Sequence, residues 1–158
     1  MAEDLNILKG TKAEQYASLI PQIQGLLTGE DNLIANLANI SAALKEQFNF
    51  WWVGFYWVRN DELVLGPFQG PVACTRIKKG RGVCGGAWSQ GKTLVVPDVE
   101  KFPGHIACSS ASKSEIVVPV YNGSEIVGVL DVDSEQLSMF DETDQFYLEK
   151  IVGLIPHN

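Results

Sequence analysis

The sequence predicts an α+β domain: one antiparallel sheet with helices packed against one face and loops lying over the other. Three observations carry this. Strand-like segments cluster in the centre of the chain, while the longest helical patterns lie towards its ends. An Asn122-Gly123 pair joins two apolar, β-branched runs, the strongest short-range hairpin signal. A length of 158 residues suits one domain, so 1–158 is expected to form a single core, with 1–28 as an N-terminal helical extension.

Each element has its own signal. Residues 12–27 read as a helix weakened by Pro21 and broken at Thr28-Gly29-Glu30. Thr28 or Asp31 is expected to cap the next helix. There Leu33, Ile34, Leu37, Ile40, Leu44 and Phe48 recur at three- and four-residue steps as one apolar stripe. Residues 50–59 are aromatic and β-branched, as strands prefer. Asn60-Asp61 makes a turn, 62–65 returns as a strand, and Gly66-Pro67 is expected to end it. A short strand over 72–77 carries Cys74. Four glycines at 80–86 lead into a short helix over 83–90, and Pro97 stops a strand over 93–96. Residues 98–114 form a long loop containing Cys108, a length usually reserved for function. The hairpin strands are 115–121 and 125–133. Asp141 then caps a last helix running through Ile155, with Asp144 completing a capping box.

Composition excludes several classes. Apolar residues make up 46% and charged residues 20%, which argues against disorder and coiled coil. No apolar run approaches the ~20 residues a membrane helix requires. The first residues lack the basic and apolar regions of a signal peptide, so a cytoplasmic location is expected. A formal charge of −7 disfavours nucleic acid as a partner and suits a small cationic or zwitterionic ligand. Three cysteines are too few and too uneven for a disulfide framework. With two histidines, one of them penultimate, they make a poor zinc set, so no metal is expected.

Three groups of residues could carry chemistry. Cys108 lies among small residues in a loop, with His105 and Lys113 near in sequence to favour its thiolate. Cys74 has a definite strand face. Cys84 follows a glycine-rich turn at a helix start, where the dipole would also favour a thiolate. Asp131 and Asp133 share strand parity with Val127 and Val129, while Ile126, Leu130 and Val132 share the other. One face of that strand is therefore core and the other turns acidic, with Glu115 able to join it. Trp52 and Tyr56 share parity with Gly54, which leaves a gap in an aromatic row; Trp51, Phe55 and Trp57 fall on the other face and read as core. The glycines near Arg81 lack the context of a nucleotide fingerprint.

Taken together, Trp52-Val53-Gly54-Phe55-Tyr56, Ala73-Cys74, Gly80-Arg81-Gly82-Val83-Cys84-Gly85, Gly104-His105-Ile106-Ala107-Cys108, Ser114-Glu115-Ile116-Val117-Val118-Pro119 and Gly128-Val129-Leu130-Asp131-Val132-Asp133-Ser134 resemble the free methionine-(R)-sulfoxide reductases. These are GAF-domain enzymes, and the likeness spans roughly residues 31 to 155. The resemblance implies a GAF-like antiparallel sheet of about six strands and a homodimer. It implies free L-methionine-(R)-sulfoxide as substrate, no cofactor, and thioredoxin as reductant. Cys108 matches the attacking thiol, Cys74 the main resolving thiol and Cys84 an alternative or helper thiol. Glu115, Asp131 and Asp133 match the acids around the substrate, and Trp52 and Tyr56 its aromatic wall. The chain departs from the family at Ser109, where an Asp is usual. The alternative from another class is a non-catalytic GAF module that senses a small molecule or redox state.

Overall fold

The computed structural model describes residues 4–106 and 108–157. Helices α1 (Lys12–Leu27) and α2 (Leu33–Phe48) precede strands β1 (Trp52–Arg59), β2 (Glu62–Gln69) and β3 (Arg76–Lys78). Helix α3 (Gly82–Gln90), strand β4 (Leu94–Val96) and a 3-10 turn at Val99–Lys101 follow. The hairpin of β5 (Ser114–Asn122) and β6 (Glu125–Ser134) leads to α4 (Glu142–Val152). The strands form one six-stranded antiparallel sheet in the order β3-β2-β1-β6-β5-β4.

The two faces of the sheet are covered differently. Against one face lie α1, α2 and α4, and the shared core includes Tyr16, Leu44, Phe55, Ile116, Leu130 and Ile151. The other face carries α3 and the loops, with a smaller core built from Trp52, Tyr56, Val83, Ala87, Val117 and Val129. β1 serves both: Val53, Phe55 and Trp57 point to the helices, and Trp52 and Tyr56 to the loops. Its residues are buried from Trp52 to Trp57, as expected of a central strand covered on both faces.

Helix ends follow local chemistry. Thr11 and Glu14 form a capping box on α1, and Asp141 and Asp144 form the expected one on α4. α1 stays helical through Pro21 because Tyr16, Leu19, Ile23 and Leu27 make a buried stripe along it. Tyr16 Oη donates to Asp144 Oδ1 at 2.6 Å and Lys12 Nζ pairs with Asp144 Oδ2 at 2.6 Å, which ties α1 to α4. The cap of α2 is Asn32, whose side chain accepts from the Ala35 N–H at 3.0 Å, in place of the expected Thr28 or Asp31. Ile34 departs from the apolar stripe and is 69% exposed, while Leu37, Ile40 and Leu44 are buried.

Several boundaries and one alternation pattern differ from the sequence expectation, and the last helix ends at Val152 instead of running through Ile155. β2 continues past Gly66-Pro67 to Gln69, because a bulge opposite Gly54–Tyr56 absorbs the proline where β3 no longer pairs with β2. β3 is only Arg76–Lys78, so Cys74 sits in the connection before it rather than on a strand. The β5–β6 turn falls on Gly123 and Ser124, since Asn122 pairs with Glu125. A bulge near Val120–Tyr121 breaks the alternation of β6: Val127 packs with the helix-side core and Ile126 with the loop-side core. The expected shared face therefore holds for Val129, Asp131 and Asp133 but not for Val127.

Candidate active site

Register alone assembles the acidic centre of the loop-side face. Asp133 lies opposite Trp52 on β1 and opposite Glu115 on β5, so these three form one row across adjacent strands. Asp131 lies opposite Gly54 and Val117, one step further on the same face. Above this row stands Cys84, in the first turn of α3. Its Sγ donates to Glu115 Oε2 at 3.9 Å. Ser112 Oγ donates to Asp133 Oδ1 at 3.4 Å from the end of the long loop. Asp131 Oδ1 is buried and has no hydrogen-bond partner.

These groups line a recess with about 600 Å³ of empty space, counting its open mouth. Trp52, Tyr56, Cys84, Glu115, Asp131 and Asp133 all contribute to its wall, and Cys108 lies at the same cavity. Trp52 and Tyr56 are held rigidly. Trp52 Nε1 donates to the Pro71 carbonyl at 2.9 Å, and Tyr56 Oη to the Cys74 carbonyl at 2.8 Å. The second bond ties the aromatic wall to the segment bearing Cys74. The gap expected at Gly54 is filled. A Cβ there would lie 2.2 Å from Phe68 Cβ, and the Phe68 ring stacks on Trp52 with centroids 5.2 Å apart.

Cys74 and Cys108 are joined in a disulfide, with Cα atoms 5.5 Å apart and a sequence separation of 34. Cys108 is exposed and Cys74 half-buried, so the bond closes the rim of the recess. Cys84 is free and buried. The sequence places a helix start beside it and predicts a favoured thiolate. The structure reverses this: burial, then the neighbouring Asp131 and Glu115, push its thiol well up. Burial also raises Glu115 and Asp133 well above the ordinary carboxylate range, with Asp131 as the next cause for both. Asp131 is raised by burial, offset in part by hydrogen bonds from Glu115, Cys84 and Asp133. Three acids this close keep protons among themselves until a positive group enters.

His105 lines the recess, with Nδ1 buried and unpartnered, while Lys113 is exposed and is not among the lining residues. Ser109 Oγ accepts from the Ala111 N–H at 3.3 Å, so the residue standing where the family usually has Asp braces the loop. Sequence parity assigns Trp51 to the helix-side core. Trp51 precedes β1, so alternation does not govern it, and it lines the recess instead. Ser112 and Phe68 are further site neighbours that the sequence reading missed; only the small-residue loop hinted at the first. Among the described residues, the side chains with metal-ligand geometry are Cys84, Glu115 and Asp131.

Comparison with known proteins decides the relationship. Residues 35–155 match the GAF domain family. The chain is 71% identical over 156 residues to GAF domain-containing protein A of Dictyostelium discoideum, covering 98% of this chain and 99% of that one. It is 46% identical over 143 residues to free methionine-R-sulfoxide reductase of Escherichia coli (strain K12), covering 90% and 87%. The chain belongs to the free methionine-(R)-sulfoxide reductase family of GAF domains. Its fold superposes on the solved free methionine-R-sulfoxide reductase of Neisseria meningitidis in complex with its substrate, with a TM-score of 0.95 and 52% identity over 98% of this chain and 93% of that one. The six-stranded GAF sheet expected from the resemblance is thus present. Among the described residues no helix is long and apolar enough to cross a membrane.

Proposed function

We propose that this GAF domain reduces free L-methionine-(R)-sulfoxide to L-methionine, with Cys108 as nucleophile. The observation that carries the proposal is the placement of the Cys74–Cys108 bond at the mouth of a buried three-acid recess walled by Trp52 and Tyr56. A free amino acid has an α-ammonium that a peptide-bound residue lacks. Asp131, with its unpartnered Oδ1, and Asp133 accept that ammonium, and the gain is that of charge-assisted hydrogen bonds in a dry site. A substrate without the ammonium leaves those acids unmatched, which is how the site selects free substrate. The ring faces of Trp52 and Tyr56 enclose the S-methyl group.

The chemistry then follows from the thiols. The Cys108 thiolate attacks the sulfoxide sulfur. The oxygen takes a proton from Glu115, which burial keeps protonated where an ordinary carboxylate would be charged. Oxygen passes to Cys108 as a sulfenic acid and methionine leaves as the thioether. The Cys74 thiol condenses with the sulfenic acid, releasing water and forming the disulfide. In sum, two thiols and one sulfoxide give one disulfide, one thioether and one water. Cys84 stays a protonated helper that donates to Glu115. An external dithiol, thioredoxin, resets the enzyme through the exposed Cys108 side of the bond. We place the reaction in the cytoplasm, where such dithiols keep thiols reduced, in a homodimer as the family resemblance implies.

The test is a single-turnover assay on fully reduced protein given free or peptide-bound methionine sulfoxide. Free substrate should release one methionine per chain, with mass spectrometry showing the Cys74–Cys108 bond. Cys108→Ser should release none. Equal release from a peptide-bound substrate would overturn the ammonium-based reading.

A further inference from the structure

The acids of the recess form no ion pair among the described residues, and the basic side chain that shares their cavity and acts on Asp131 is His105. Among the described residues the ion pairs join Lys12 to Asp141 and Asp144, and Arg76 to Glu62; none involves Glu115, Asp131 or Asp133. Within the recess, Cys84 Sγ, a Glu115 carboxylate oxygen and an Asp131 carboxylate oxygen all lie within 4.8 Å of one another. The three residues are 4%, 6% and 5% exposed, and so dry enough for ion contacts to be strong. Asp131 Oδ1 is a second observation that points to a cation: it is buried and accepts no hydrogen bond. A buried carboxylate oxygen left so is costly, and a cation in reach would satisfy it.

The separations suit one class of ion. With Zn–S at ~2.3 Å and Zn–O at ~2.1 Å, the sulfur–oxygen edge of a tetrahedral site is about 3.6 Å. Cys84 Sγ and Glu115 Oε2 stand 3.9 Å apart and an Asp131 oxygen lies within 4.8 Å of both, so side-chain rotations that shift the ligand atoms by about 1 Å close the set. A sulfur ligand selects Zn²⁺ or its soft neighbours over Mg²⁺ and Ca²⁺, which prefer oxygen alone. His105, with its Nδ1 buried and unpartnered, lines the same cavity.

We propose that Cys84, Glu115 and Asp131 form a binding site for a thiophilic divalent cation such as Zn²⁺. The ion is an inhibitor and not a cofactor, because it occupies carboxylates that the reaction needs. On binding, the Cys84 thiol gives its proton to solvent and its sulfur forms the metal bond; no electron changes hands. Cys84 takes no part in the Cys74–Cys108 bond, so the site persists in the oxidised enzyme. The cation site itself does not depend on the proposed function, but its competition with methionine rests on the ammonium placement argued above.

The disulfide form gives a clean test, since Cys84 is then the one thiol left of three. Co²⁺ serves as a coloured stand-in for Zn²⁺. One equivalent should produce a near-ultraviolet thiolate-to-cobalt band that Zn²⁺ abolishes and excess Mg²⁺ does not. The band should vanish in Cys84→Ser, and Glu115→Gln and Asp131→Asn should each weaken Co²⁺ binding by at least ~10-fold. In the wild-type protein, free methionine should raise the apparent dissociation constant. No band in the wild type, or a band retained in Cys84→Ser, overturns the cation site. A Cys84-dependent band untouched by methionine upholds the cation site and overturns the ammonium placement instead. Because methionine competition is read on the unmodified protein, a variant that fails to fold does not remove the test.

Discussion

Leu130 and Asp131 are neighbours on β6, yet they face opposite worlds. Leu130 enters the large apolar core under α1, α2 and α4. Asp131 enters the recess under α3 and the long loop, beside two more acids and a thiol. The same strand, with the same backbone bonds, contributes stability through one face and chemistry through the other. The helix-side face is packed for the folded state alone. The recess-side face holds raised carboxyls and an orphaned oxygen, which cost stability until a ligand arrives.

The largest effect that would sharpen this contrast is on the apolar side. Leu130→Ala removes a fully buried side chain and should destabilise by about 2–5 kcal/mol in denaturant titration. Turnover per folded molecule should hardly change; a large loss of kcat would mean the faces are not separable. Asp131→Asn should do the reverse. It should raise KM for free methionine sulfoxide by ~10–100-fold, the loss of about 1.5–3 kcal/mol expected for a charge-assisted bond. Thermal stability should not fall. Gly54→Ala probes the aromatic wall between the faces. Its new Cβ would collide with Phe68, so a cost of ~1–3 kcal/mol is expected, with weakened substrate binding as Trp52 loses its stacking partner.

The smallest effect is on pH dependence. Glu115 and Asp133 bind protons more tightly folded than unfolded, so the native state holds more protons as pH rises above the unfolded carboxylate range. Substrate-free stability should therefore fall as pH rises from about 4 towards the raised native values. Glu115→Gln should flatten that fall and raise Tm at pH 7 by ~2–4 °C, the shift of about 1 kcal/mol in a domain of this size. A Tm lowered at pH 7 and unchanged at pH 5 would contradict the raised carboxyl. The same variant should slow oxygen protonation, separating its effect on kcat from its effect on stability.

Much of this is legible in the sequence alone, and the reasons are local. Period-two alternation placed Val129, Asp131 and Asp133 on one face, and Trp52 with Tyr56 on the loop side. Capping chemistry fixed the start of α4 at Asp141, and Asn60-Asp61 marked a two-residue hairpin turn, where both residues take positive φ. Alternation failed where a bulge inserted a residue, as at Val127, or where the strand had not yet begun, as at Trp51. The glycine gap at Gly54 was visible, but not that Phe68 from the next strand would close it.

By itself the sequence determined which residues alternate, which cap and which turn, because those properties depend on neighbours a few positions away. It also carried the family motifs, and with them the roles expected of Cys108, Glu115 and the two aspartates. Only the tertiary structure decided that Cys84 is a buried, proton-holding thiol and not a helix-activated one. That outcome depends on Asp131 and Glu115, which lie far along the chain and reach Cys84 only when α3 settles onto β5 and β6. Charge and burial act through space, and the order of residues does not record them.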